Sequence, residues 1–346
     1  MVLALDLILL LALLIICFIV AFAIGSNDEA MAPAVGARVF TVNTAVLIGG
    51  FITVIGAIFM GGGVSEKVGS DLVGGRPLTT AMVFAILISM AIWLLLASIT
   101  KGLPISTTQC IVGSVVGVAV IAPLLGEIGW GIEAVAWYVV AEIVVGWLVS
   151  PIIGFLIAGL VYAGVRRLQK KAAGLTGRER QERIAAYGLA GFLIIISLSR
   201  GGNDVANAIA PLVSIPDFNS TIDLGWIQLS SQIIPLLVGG IGMALGLIVV
   251  GRRVIKVLAT EVVTLTPSSA LSASISVSLV LFVGTYLGFP LSGTHVLVAA
   301  LIAVGWVSRE PVKRKQVREI LISWVVTVPI SALLAVGVLY FTQMIF

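Results

Sequence analysis

The chain has 346 residues, 60% hydrophobic and 10% charged, with a formal net charge of +4 and a mean hydropathy of +1.20. Soluble domains carry about 25% charged residues, so too little polar surface remains for a water-facing globule, and the small basic excess implies no nucleic-acid partner. Apolar runs such as 3–24, 41–62, 79–100 and 226–250 reach the ~20 residues needed to cross a hydrocarbon core of roughly 30 Å, and the alternation of a transmembrane barrel is absent.

The first predicted crossing covers 5–35. Its start carries Asp6, lacks a basic flank and exceeds a signal h-region of about 7–15 residues, which predicts a retained helix. Cys17 and Cys110 lie in apolar segments and read as small core residues, not as a disulfide or metal pair. Crossings 41–62 and 79–100 follow. Gly102-Leu103-Pro104-Ile105-Ser106-Thr107-Thr108-Gln109 then opens a crossing at 104–123, and the last of this half is 133–163. That segment is long enough to be a steeply tilted helix or one broken at Pro151.

The densest basic stretch comes next, with Arg166, Arg167, Lys170, Lys171, Arg178, Arg180 and Arg183. The positive-inside rule makes it cytoplasmic. It divides the chain into a first transmembrane repeat, 1–164, a basic cytoplasmic loop, 165–184, with room for a short amphipathic helix, and a second repeat, 185–346. The second half holds crossings at 186–213, 226–250, 266–288, 290–307 and 319–345, the last again tilted or broken, at Pro329. Segment 214–224 has two acids and no basic residue and reads as external. Five crossings per half is an odd number. The repeats must therefore insert in opposite senses, with both termini outside.

The two halves repeat their polar motifs in the same order. Gly25-Ser26-Asn27-Asp28 returns as Gly201-Gly202-Asn203-Asp204, and the Gly102–Gln109 segment returns as Gly288-Phe289-Pro290-Leu291-Ser292-Gly293-Thr294-His295. Duplicated Gly/Pro-broken segments at matching places mark the substrate site of a transporter. The expected architecture is an all-α polytopic membrane protein of two inverted-topology repeats, whose broken helices or helical hairpins meet at a midplane site.

Residues 186–200 do not span a bilayer before Gly201-Gly202, so Asn203-Asp204 is expected inside the membrane, on backbone that the glycines release from the helix. An ionised Asp at that depth costs at least about 2.5–3.5 kcal/mol. Asn27, Asp28, Asn203 and Asp204 are therefore either helix caps at an interface or ligands of a hard cation such as Na+. Pro104 and Pro290, each followed by a hydroxyl cluster, predict helix starts. Unpaired N–H groups and the dipole favour anions there, with capping and close helix packing as the plain alternative. No arginine or lysine lies within either motif. The expected anion, a tetrahedral oxyanion, is then held by N–H and O–H donors. Lys101 reads as snorkelling to the interface. An anion beside two aspartates in a low-dielectric site requires companion cations or protons, and this argument does not choose Na+ over H+. His295 aligns with Gln109, which predicts a shared hydrogen-bonding role.

These residues resemble the inorganic phosphate transporter (PiT, phosphate permease) family, whose signature in each half is Gly-x-Asn-Asp-Val-Ala-Asn-Ala. Gly202 to Ala208 fits it closely. Gly25 to Ala32 departs from it at Glu29 and Met31, which stand where the pattern has Val and Asn. The resemblance implies symport of phosphate with Na+ or H+ by alternating access in the cell membrane, with homodimers. Under it Asp28, Ser106, Thr107, Thr108, Asp204, Asn207, Ser292, Gly293 and Thr294 would hold phosphate. Asn27, Asp28, Gln109, Asn203 and Asp204 would ligate sodium. No cofactor is implied beyond the bound cargo ions. The rival readings are a permease for sulfate or another oxyanion, and a channel. An intramembrane enzyme is disfavoured by a single histidine and by the lack of a metal cluster, a Ser/Lys pair or a Gly-x-Ser-x-Gly pattern.

Overall fold

The computed structural model describes residues 2–100, 102–171, 174–213, 221–223 and 228–344. Lys101 and most of the expected external segment 214–224 lie outside the described residues. Among the described residues, thirteen α-helices run in the order α1 (Val2–Ser26), α2 (Ala32–Gly36), α3 (Val42–Met60), α4 (Gly62–Gly69), α5 (Thr80–Thr100), α6 (Thr107–Ile121), α7 (Trp137–Lys170), α8 (Gly174–Val213), α9 (Ile233–Gly246), α10 (Arg252–Glu261), α11 (Pro267–Tyr286), α12 (Gly293–Ser308) and α13 (Arg314–Thr342). A π-helical turn, Leu247–Gly251, joins α9 to α10. A short antiparallel ribbon pairs Thr221–Asp223 with Gln228–Ser230.

Nine of the described helical stretches are long and apolar enough to cross a membrane, and α12 is a shorter apolar helix. With α12 this matches the ten crossings expected. Only 28% of the apolar stretch in α7 and in α13 is buried within the protein, against 67% in α11. Leu148, Ile152, Leu160, Val325 and Leu333 are exposed, so α7 and α13 present apolar side chains on the outside of the helix bundle. Both run unbroken through Pro151 and Pro329, which resolves the choice between tilt and break in favour of continuous long helices.

Corresponding helices of the two halves pack reciprocally. Helix α1 lies on α9 and α3 on α8; α6 lies on α13 and α12 on α7. Two apolar cores result. One is built around α1, α5 and α6 with Ala335 and Leu339 of α13. The other gathers α2, α10, α11 and α12 with Leu189, Leu193 and Ile196 of α8.

Two expectations require correction. The glycines at 201–202 do not break their helix, because α8 is continuous from Gly174 to Val213. They serve close packing instead: a Cβ at Gly201 would lie 2.2 Å from the Thr53 carbonyl oxygen, and one at Gly202 2.5 Å from the Met60 Cβ. Among the described residues, the break occurs in the first half alone, where α1 ends at Ser26 and the chain turns through Asn27–Met31 into α2, with Pro33 in its first turn. The basic stretch 165–184 is also mostly helical, carried on the end of α7 and the start of α8. Its Arg, Glu and Gln residues are good helix formers.

Candidate functional site

Both hydroxyl clusters open helices as expected. Ser106 caps α6, its Oγ accepting from the Gln109 N–H at 3.3 Å. Ser292 caps α12, accepting from the His295 N–H at 3.3 Å. Ser106 Oγ also lies 2.9 Å from Thr108 Oγ1. Each helix start is steered by the asparagine of its own half. Asn27 Nδ2 donates to the Leu103 carbonyl at 2.9 Å and to Ser98 Oγ at 3.0 Å, and its Oδ1 accepts from the Ile105 N–H at 2.9 Å. Asn203 Nδ2 donates to the Phe289 carbonyl at 3.3 Å. Asn203 Oδ1, by contrast, is buried without a hydrogen-bond partner.

The carboxylates reach across to the opposite half. Thr107 Oγ1, on α6, donates to Asp204 Oδ1 at 3.1 Å, and Asn207 Nδ2 donates to Thr107 Oγ1 at 3.4 Å. Thr294 Oγ1, on α12, donates to Glu29 Oε1 at 2.9 Å. Each hydroxyl cluster thus faces a carboxylate of the other half. Asp28 Oδ1 caps its own turn by accepting from the Ala30 N–H at 3.0 Å.

At the centre stands Arg200, buried on α8. Its Nη2 is 3.1 Å from Asp28 Oδ1 and 3.1 Å from Glu29 Oε1, and its Nε is 3.0 Å from Asp204 Oδ2. An anion here would therefore meet a guanidinium as well as the N–H and O–H donors expected of the two hydroxyl motifs, which corrects the expectation of a site without salt bridges. Arg200 immediately precedes the motif, and one helical turn separates it from Asp204, so both project from the same face of α8. An ionisable residue in an apolar crossing is itself a site signal. Glu29 is visible in the sequence only as a departure from the family pattern, and the structure makes it a full member of the cluster.

The expected residues are thus brought together: Asp28, Thr107, Asp204, Asn207 and Thr294 are joined directly or through Arg200 and Glu29, with Gly293 against the Arg200 guanidinium. Ser106 and Ser292 act as caps beside them, and all of these residues are buried. The hydrogen-bonding role expected of the aligned Gln109 and His295 takes a different form. Gln109 Oε1 and His295 Nε2 are buried without partners, and the His295 ring stacks on Trp324 with centroids 3.8 Å apart. Met31, where the family pattern has Asn, is buried and packs against the Gly49 position. The first half therefore has no counterpart of Asn207.

A polar cluster at two helix starts, enclosed by membrane-crossing helices, defines a polytopic membrane transporter. The model of the phosphate transporter family matches residues 24–335, and the chain belongs to that family. A Thermococcus kodakarensis protein named as a phosphate permease is 29% identical, covering 94% of this chain and 96% of that protein. The chloroplastic inorganic phosphate transporter 2-1 of Arabidopsis thaliana is 28% identical, covering 94% of this chain and 70% of that protein. A solved structure described as the sodium-dependent phosphate transporter superposes with a TM-score of 0.80 at 26% identity, covering 98% of this chain and 100% of the other.

Proposed function

We propose that this protein is a sodium-coupled symporter of inorganic phosphate that works by alternating access about the Arg200 cluster. The observation that carries the reading is the reciprocal crossing of Thr107 to Asp204 and Thr294 to Glu29. It brings two anion-favouring helix starts, one from each half, to a single buried set of carboxylates. Three carboxylates against one guanidinium leave two negative charges when all are ionised. A phosphate ion added there meets strong repulsion in a low-dielectric site. Companion cations relieve it, so anion and cation fill the site together. Buried amide and carboxylate oxygens left without hydrogen bonds, such as Asn203 Oδ1, Asn207 Oδ1 and Glu29 Oε2, suit a hard cation. Family membership supports phosphate as the anion. The likeness to a sodium-dependent phosphate transporter supports sodium as the cation.

In this reading the halves are inverted repeats, both termini lie outside the cell membrane, and the protein works as a homodimer. The test is labelled-phosphate uptake into proteoliposomes under separately imposed sodium and pH gradients, with sulfate as competitor. Uptake driven by an inward sodium gradient and resistant to excess sulfate is the expected result. Uptake driven by the pH gradient alone, or abolished by sulfate, refutes the assignment.

A further inference from the structure

The two halves match at Asn27/Asn203 and Asp28/Asp204 but differ beside them. Glu29 stands where the second half has Val205, and Arg200 stands where the first has Ile24. These two departures meet in space, Arg200 Nη2 lying 3.1 Å from Glu29 Oε1. The same oxygen takes the Thr294 hydroxyl at 2.9 Å. Thr294 is in the first turn of α12, so the Glu29 carboxylate sits on the donors that an oxyanion at that helix start needs. Its second oxygen, Oε2, is buried and has no hydrogen-bond partner. One oxygen of this side chain imitates an anion, and the other is an unused ligand of the kind a hard cation takes.

We propose that Glu29 is a resident surrogate anion. Entering phosphate takes Thr294 and Arg200 from it, and the released carboxylate becomes a ligand of one coupling sodium ion. The proposal rests on the sodium-coupled reading above and specifies how the coupling is made. A buried carboxylate stripped of both donors is costly. A sodium ion at Glu29 removes that cost, so sodium favours the exchange and phosphate favours sodium by the same factor. Arg200 remains tied to Asp28 and Asp204 throughout, which keeps its guanidinium in place for the incoming anion. With no sodium present, Glu29 holds the donors and phosphate binds more weakly.

The test compares wild type, Glu29→Gln, Glu29→Val and Glu29→Asp. Binding of labelled phosphate is titrated against sodium in detergent, and sodium-driven uptake is measured in proteoliposomes. In sodium-free buffer, Glu29→Gln is expected to bind phosphate at least about fivefold more tightly than wild type. Its gain in affinity on adding sodium shrinks correspondingly, and the Hill coefficient for sodium in uptake falls. Glu29→Asp keeps the linkage. Should Glu29→Gln fail to fold, Glu29→Val, the residue at the matching place in the other half, carries the comparison. Folded variants whose phosphate affinity follows sodium as in wild type overturn the proposal, as does loss of phosphate binding at every sodium concentration. Wild-type uptake that ignores sodium defeats the symport reading itself, and that arm is independent of the variants.

Discussion

Gly293 makes room for Arg200: a Cβ at Gly293 would lie 1.8 Å from Arg200 Nη1 and 2.9 Å from its Cδ. In the first half the matching position is Thr107, whose hydroxyl binds Asp204. The site therefore uses its two equivalent positions differently, one as a donor and one as space for a guanidinium.

Gly293→Ala is expected to abolish uptake and to lower thermal stability, with the helix backbones left in place. The added methyl meets the end of a flexible side chain, so Arg200 moves and the backbone does not. Its ion pairs with Asp28, Glu29 and Asp204 are then lost, and breaking a buried pair costs about 3–5 kcal/mol. Phosphate uptake and thermal denaturation of the purified variant check this. Wild-type uptake by Gly293→Ala contradicts it.

The Arg200–Glu29 pair predicts a double-mutant cycle. Arg200→Ile leaves three buried carboxylates without a counter-charge and is expected to be strongly destabilising. Adding Glu29→Val removes one of those charges and copies the residues at the matching places, Ile24 and Val205. The double variant is expected to be about 0.5–3 kcal/mol more stable than the sum of the two single losses. Additive losses in denaturation midpoints argue against a coupled pair.

Close helix packing predicts a second pattern. A Cβ at Gly25 would lie 1.9 Å from the Met243 carbonyl oxygen, and one at Gly246 1.9 Å from that of Phe22, both in the α1–α9 pair. In the α3–α8 pair, a Cβ at Gly56 would meet the Leu198 oxygen at 2.0 Å and one at Gly201 that of Thr53 at 2.2 Å. Here the obstacle is backbone, which does not swing aside. Each Gly→Ala substitution is expected to cost at least about 1–3 kcal/mol by overpacking, with similar losses in the two helix pairs. Thermal stability in detergent measures it, and unchanged midpoints refute it.

The helical membrane class is legible in the sequence because hydropathy and span length report it directly. The helix starts at Ser106 and Ser292 are legible because proline and a hydroxyl cap act locally. Gly201-Gly202 misleads because glycine serves equally a helix break and a helix contact. Only the partner helix, with Thr53 and Met60 against it, decides between them. Arg200 escapes a reading of the motif along the chain, whereas α8 presents Arg200 and Asp204 on one face. Placing Glu29 in the site requires knowing that α12 sets Thr294 opposite it.

The paired asparagines should separate structural from ion-binding roles. Asn27 commits both ends of its amide to protein, bonding Leu103, Ser98 and Ile105. Asn203 makes one bond, to Phe289, and keeps Oδ1 buried and unpartnered. Asn27→Ala leaves a buried N–H and a carbonyl unsatisfied, which costs about 1–3 kcal/mol for each such group. It is therefore expected to lower thermal stability and to unseat the start of α6. Asn203→Ala removes an unpartnered oxygen, so its stability loss is expected to be smaller. Its defect should appear instead as a raised sodium requirement for phosphate uptake, with uptake restored at high sodium. Measuring denaturation midpoints and the sodium dependence of uptake for both variants separates the two effects. Equal stability losses, or a sodium requirement of Asn203→Ala unchanged from wild type, would mean that Asn203 is another loop anchor and that the cation is held elsewhere.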